Sequence, residues 1–545
     1  MHSIQDQTLP RPASLRAPGK RATPPATVRV GRASRRWTVL LALAVVTVVS
    51  AVGVAPGGAS PPGGSVIGLS DWRTYGHDAG HSFSGMTNVT SASAPALARA
   101  WFFPTGDAVT ANPIVVADSV YVGSWDGSFY AIDRATGTLR WKYRLKNQPA
   151  INPSPGNTAP RDITSDGGLV TSSAWFEPAA GGRPDLVIFG GGYTLYALVA
   201  TGPAAGRLFW AHDYSGLPEA PPDPANDSTR IFSSPVVVNN QVVFGVSADG
   251  ESGHRGYVAA ANLNNGNPIW RFDTDVDTAG SVQNDGCGGV WSSPSVDFVR
   301  RLVFFGVADC HDQGVPPYHE RVLALHATDG SLAWVFTPSR LRGVPAGQDP
   351  PCDFDFGASV NLGSPNPATG APGFLGVGGK DGTYYRLDPA TGAPAWTTGV
   401  VFGGSAGGFI GTTAYDGQRA YGATALGDLG TPCEPTNPSD TPFQEPSAHA
   451  ISADGTIAWQ ANGSQSFSPT TVAGGMTFVG SVTTPTVEVR DASTGLLLAS
   501  LPAAPSCFCA IAVSGNAVFF GTGGAQQASP DGLYAFTPLA APPHS

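Results

Sequence analysis

The chain has 545 residues, with 70 Gly, 49 Pro, 13% charged residues, 10% aromatics and a formal net charge of −10. That is too apolar for a disordered chain, has no Gly-X-Y period that would make it a collagen, and is too acidic to favour a nucleic-acid partner. A turn-rich, aromatic-rich, charge-poor composition predicts many short strands.

Residues 1–36 carry eight Arg/Lys and a single acid, Asp6, and are expected to be a basic, disordered leader. Trp37–Ala55 follows Arg35-Arg36 with 19 uncharged residues. A basic stretch before an apolar run of this length is an export signal or an uncleaved membrane anchor, and both readings stay open. Residues 56–70 form a Gly/Pro/Ser linker. The body, 71–545, is therefore expected outside the cytoplasm, secreted or held at the membrane through the N-terminal segment. In that setting the even set Cys287, Cys310, Cys352, Cys433, Cys507 and Cys509 reads as disulfides. No CxxC or CxxCH spacing occurs, which argues against a zinc ribbon and a c-type haem.

From residue 71 the chain repeats itself. The unit SWDGSFYAIDRATGTLRW ends at Trp141, and related units end at Trp210, Trp270, Trp334, Trp396, Trp459 and, with a different apolar residue, Leu498. Each contains two alternating runs joined by a turn such as Ala135-Thr136-Gly137, and most are preceded by a second pair, such as Asn112–Ser124. Four short strands per unit, repeated at this scale, predict a β-propeller. Seven closing strands run from Trp141 to Leu498. An eighth hairpin, Asp531–Phe536, has none after it, while Ala96–Trp101 at the other end has no partner. Pairing the two gives an all-β, eight-bladed propeller closed by strands from both termini.

The repeat resembles the tryptophan-docking repeat of the quinoprotein (PQQ-dependent) alcohol dehydrogenases. The segments Asp71–Ser82, Gly289–Asp297, Asp353–Ser359 and Gly403–Gly411 are similar to those of the polyvinyl-alcohol-dehydrogenase-like subgroup. The resemblance implies an exported oxidoreductase that converts a small or polymeric alcohol to a carbonyl with PQQ and Ca²⁺, without a haem domain, and passes electrons to an external acceptor. The competing reading is a non-catalytic propeller that binds or scaffolds partners at the cell surface, since function lives in the site and not in the fold.

A quinone in a propeller needs a flat surface, oxygen ligands for a cation, a cationic group and a base for the alcohol proton. Trp291 opens a unit instead of closing one, so its indole is free to face the axis; its family counterpart underlies PQQ. Glu251, separated by three residues from Arg255-Gly256-Tyr257, matches a calcium ligand of the family. Asp309, ending Gly306-Val307-Ala308-Asp309, lies 18 residues past Trp291, where the family places a second ligand as Asn. Carboxylate oxygens suit Ca²⁺. Asp355, between Phe354 and Phe356, matches the catalytic base, with Asp353 as its rival. Lys380, one of four lysines, matches the basic residue that touches PQQ. The adjacent-cysteine lid of many relatives is missing. His77, His81, His254, His311, His319 and His326 show no metal-ligand spacing and read as loop or surface residues. If Trp291 and Asp309 converge on one pocket, Cys287 and Cys310 lie close enough to pair. Cys352 is expected to pair with Cys433, which leaves Cys507 with Cys509.

Overall fold

A computed structural model describes residues 68–145, 170–214, 230–247, 255–309 except 278 and 284, 317–339, 353–425 except 402, 405 and 406, 446–523 except 505 and 506, and 532–539. The described residues fall in one compact unit, Pro62–Ser545. The leader, the apolar run Trp37–Ala55, Glu251, Cys310, Cys352 and Cys433 lie outside the described residues. Among the described residues no helix is long and apolar enough to cross a membrane.

The architecture is the expected propeller. Eight sheets succeed one another along the chain, each built on four antiparallel strands; the seventh gains a fifth, Ser84–Gly85, paired parallel to its inner strand Thr471–Ala473. The first blade is Ile114–Val116, Ser119–Ser124, Ser128–Asp133 and Leu139–Arg144. Its two middle strands are buried on both faces, because a neighbouring blade packs on each side, whereas Leu139–Arg144 is largely exposed. The fourth blade (Ser295–Asp297, Leu302–Gly306, Val322–His326, Leu332–Phe336) and the fifth (Asn361–Pro365, Pro372–Gly378, Thr383–Leu387, Pro394–Gly399) repeat the pattern. The eighth combines Ile511–Ser514, Ala517–Gly521 and Gly532–Pro538 with Leu97–Pro104 from the other end of the chain. In that seam Arg99 faces Phe536 and Trp101 faces Ala535, with a bulge between. Ala96, expected as the first residue of the strand, instead ends a 3₁₀ turn, Ala94–Ala96, with Pro95 inside it.

The blades are fastened at the rim by the repeating tryptophans. The indole N–H groups of Trp101, Trp141, Trp210, Trp270, Trp334, Trp396 and Trp459 each donate to a backbone carbonyl of the next blade, at 2.9–3.3 Å. A glycine in that blade's last turn packs against the ring. Gly392 is typical: its φ is +70°, and a Cβ there would lie 2.5 Å from the Trp334 ring, so both backbone and space require glycine. The seventh blade ends in Leu498 for a physical reason. The last two strands of the eighth blade come from opposite termini, so no turn exists there to receive an indole. Leu498 packs instead beside Ala94 and Leu97.

The hub is closed at one end by residues 72–83. Backbone N–H groups of the inner strands, at Val115, Phe176, Val296, Leu362, Tyr415 and Val472, donate to carbonyls of Trp72, Arg73, Ala79, Gly80, Ser82 and Phe83. This coil forces a correction: His81 is buried within it, not at the surface, and burial pushes its imidazole down to about 4. His319 is likewise buried, by the chain near Gly288.

Candidate active site

Along each inner strand the blades are joined by a second belt of bonds. The N–H of Asn112 donates to Ser173 Oγ, Ser173 to Ser234, Ser234 to Ser293, Ser293 to Ser359 and Ser359 to Thr412 Oγ1, all at 2.7–3.0 Å. A short hydroxyl just before the inner strand of the second to sixth blades satisfies a backbone donor of its neighbour. Above this belt lies an axial cavity of about 330 Å³. Trp125, Phe232, Trp291, Phe467 and Phe508 line it, and Tyr75 of the coil lies beneath, its hydroxyl 2.8 Å from Thr412 Oγ1. The volume falls at the lower end of ligand-pocket sizes, and the lining is mostly apolar, as such pockets usually are.

Trp291 lies on the axis because it precedes the inner strand Ser295–Asp297. Its six-membered ring presses on Gly357, where a Cβ would stand 1.6 Å from the ring. At the same face the second strands end and the next inner strands begin, which sets Asp309, Asp353, Asp355 and Lys380 together. The Lys380 ammonium is 2.6 Å from Asp355 Oδ2, 2.9 Å from both Asp353 oxygens, and 5.8 Å from the centre of the Trp291 ring. The Asp309 N–H donates to Asp355 Oδ1 at 2.6 Å. Carboxylate oxygens of Asp309, Asp353 and Asp355 lie within 4.8 Å of one another.

Lys380 pairs with two of the three carboxyls, Asp353 and Asp355, and Asp309 lies beside them. Burial, then the charges of Asp355, Asp353 and Glu320, push the Asp309 carboxyl up to about 8. Burial and Asp355 also raise Asp353. Burial alone would lower Lys380, but Asp355 and Asp353 outweigh it and hold the ammonium above its ordinary range. The cluster gathers close carboxylate oxygens, which is the environment a divalent cation favours. The flat Trp291 face on a cavity of ligand size, with a cation 5.8 Å away, fits a planar, anionic cofactor. The residues present therefore fit both PQQ and a cation such as Ca²⁺.

Five of the residues singled out in the sequence, Trp291, Asp309, Asp355, its rival Asp353 and Lys380, come together; Glu251 lies outside the described residues. Two participants were not singled out. Tyr75 gave no signal beyond an aromatic in a polar segment. Glu320 accepts the Phe354 N–H at 2.7 Å and so fixes the segment that carries Asp355. A carboxylate whose partner is a backbone group 34 residues away leaves no local motif. A neighbouring loop holds Asp275, which accepts the N–H groups of Asp285 and Cys287, its carboxyl pushed up to about 8 by burial and by Asp285. Cys287 is disulfide-bonded and offers no metal ligand there. Cys507 and Cys509 are bonded to each other, flanking Phe508.

In this eight-bladed propeller the acid–lysine cluster and the axial, aromatic-walled cavity are linked by the Trp291 ring. Residues 72–400 match the family model for the glucose/ethanol/alcohol dehydrogenase β-propeller domain designated PQQ, and the chain belongs to that family. Polyvinylalcohol dehydrogenase of Sphingopyxis sp. (strain 113P3) is 23% identical over 365 residues, covering 62% of this chain and 51% of its own length. Quinohemoprotein alcohol dehydrogenase ADH-IIG of Pseudomonas putida is 24% identical over 366 residues, covering 61% of this chain and 45% of its own. The solved quinohemoprotein alcohol dehydrogenase of Comamonas testosteroni shares the fold, with a TM-score of 0.63 at 17% identity over 87% of this chain and 82% of that one. The chain spans about half the length of the curated relatives it matches.

Proposed function

We propose that this protein is an exported alcohol dehydrogenase that oxidises a small or polymeric alcohol to a carbonyl using PQQ and Ca²⁺, and hands the electrons to an external acceptor. The observation that supports it most is the convergence of Asp309, Asp353, Asp355 and Lys380 at the edge of the Trp291 face. PQQ supplies, when bound, the acceptor for the two electrons of the carbinol C–H, and a divalent cation supplies positive charge beside it.

The chain's own residues do the rest. An alcohol holds its proton tightly, so a positioned carboxylate must take it as the C–H bond breaks. Asp355 carries that role: its backbone is set by Glu320, and its side chain by the Asp309 N–H and by Lys380. Trp291 offers the stacking plane, and Lys380 a fixed cation for the cofactor's acidic edge. Asp309 and Glu251 supply cation ligands. The aromatic walls keep bulk water from the reacting groups. Export is carried by Trp37–Ala55.

The test is reconstitution of the purified body with PQQ and Ca²⁺, followed by dye-linked oxidation of a broad alcohol panel that includes polyvinyl alcohol. Turnover that needs both additions is expected. No oxidation of any alcohol by a protein that has taken up PQQ would leave the non-catalytic binding module as the reading.

A further inference from the structure

A second cavity, of about 830 Å³, opens on the same face as the acid–lysine cluster, at the seam between the eighth and first blades. Gly106 and Asp107 follow the closing strand Leu97–Pro104, and Trp125 follows Ser119–Ser124, just as Asp309 follows Leu302–Gly306. Trp125 lines both this groove and the axial cavity, its indole N–H donating to Thr110 Oγ1 at 2.9 Å, so the two spaces meet at one ring.

The groove's chemistry is specific. Phe103, Trp125 and Tyr130 supply aromatic surface, with Phe103 and Tyr130 packed edge to face at 5.5 Å. Asp107 and Asp126 are balanced by Lys142 and Arg144, so the lining carries no net charge. The Lys142 ammonium lies 2.8 Å from the Tyr130 hydroxyl, 3.5 Å from Asp126 and 4.6 Å from the Tyr130 ring centre. Asp126 also accepts the Gly106 N–H at 3.1 Å. These groups are oriented by one another before any ligand arrives. A purely apolar chain would strip water from four charges without replacing it. A polyanion or polycation would meet equal numbers of like and opposite charges. A neutral chain of alternating C–H and O–H groups satisfies both the rings and the polar groups.

We propose that this groove is a binding subsite for a neutral, hydroxyl-rich chain, which crosses Trp125 into the axial cavity. The inference rests on the dehydrogenase reading only in making the axial end of the chain the one that is oxidised. The test is tryptophan fluorescence on the protein without PQQ or Ca²⁺, titrated with short polyvinyl alcohol oligomers, with 2-propanol as the monomer-sized probe and with polyacrylate as the anionic chain. Oligomer affinity is expected to rise with length. Lys142→Met on the exposed outer strand should lower it about tenfold, the loss of one charge-assisted hydrogen bond. Tyr130→Phe should lower it to a smaller extent. Affinity independent of length, both variants binding as wild type, or tighter binding of polyacrylate would each overturn the proposal. PQQ uptake is measured separately. Oligomer binding without PQQ uptake leaves the groove standing and fails the dehydrogenase reading; PQQ uptake without oligomer binding fails the groove alone.

Discussion

Lys380 Nζ lies 2.6 Å from Asp355 and 2.9 Å from Asp353, so one buried ammonium is shared by two carboxylates that occupy alternate positions of one short segment. The sharing separates their roles. Asp355 also accepts the Asp309 N–H and is the more enclosed of the two. Asp355→Asn keeps the shape and removes the basicity. In reconstituted enzyme with an artificial acceptor it should reduce turnover by about 10²-fold or more, the range of general-base catalysis, while PQQ still binds. Asp353→Asn should lose much less. The reverse ranking in steady-state turnover would transfer the base to Asp353.

Cation binding should depend on pH through Asp309. Its carboxyl is held up to about 8 in the cation-free protein, so at pH 6 it carries a proton that a cation must displace. Ca²⁺ is therefore expected to raise the melting temperature more at pH 9 than at pH 6. A saturating ion at a hundred times its Kd adds about 2.7 kcal/mol. Asp309→Asn should remove most of the pH dependence of this gain, read by calorimetry with and without the ion.

Acid stability should be set partly by buried imidazoles. Burial pushes His81 and His212 down to about 4 and His449 to about 3. Burial keeps His449 neutral, with Thr424 Oγ1 2.8 Å from its Nε2 and Gln460 Nε2 3.2 Å from its Nδ1. Their folded values lie below the unfolded value of 6.5, so the unfolded chain binds more protons as pH falls. The stability they contribute is present above 6.5 and is lost as pH falls from 6.5 toward 4. The slope is about 1.4 kcal/mol per pH unit for each proton taken up on unfolding. Denaturant titrations at several pH values should show this limb, and His449→Gln should make it shallower.

The rim latch predicts an asymmetry between two substitutions. Gly392→Ala adds a Cβ 2.5 Å from the Trp334 ring at a φ of +70°, and should cost about 1–3 kcal/mol through strain and overpacking. Leu498→Trp restores the repeat's own residue at the one place where it is missing, yet should bring no gain in melting temperature, because the eighth blade has no turn to receive the indole. A clear gain from Leu498→Trp would mean that the seam is built differently.

Much of this was legible in the sequence because the repeat is a physical device. An indole at the end of one unit and a glycine in the next turn are both needed for one contact, so both recur and can be counted. The unpaired ends, Ala96–Trp101 and Asp531–Phe536, gave the closure for the same reason. Trp291 stood out because it precedes a unit instead of closing one, as the repeat's docking tryptophans do. Asp309, Asp355 and Lys380 were singled out through the resemblance to the family, whose motif spacings they match, and the fold brings them together. Glu320 was not, because its partner is the Phe354 backbone on another blade. The histidines misled: His81 and His319 sit among polar and glycine-rich residues, yet the coil across the hub and the blade packing bury them. Nothing local in sequence records that a polar segment will be enclosed by strands hundreds of residues away, as Tyr75 and Thr412 are joined.

The most direct measurement is an equilibrium titration of the purified body with PQQ in the presence of Ca²⁺, followed by the quinone absorption band and by tryptophan quenching, for wild type and Trp291→Ala. The account predicts one PQQ per chain, dependent on Ca²⁺, with affinity reduced about tenfold or more when the stacking ring is removed. Wild-type protein that takes up no PQQ under these conditions, or Trp291→Ala binding it as tightly as wild type, would contradict a quinone site on the axis.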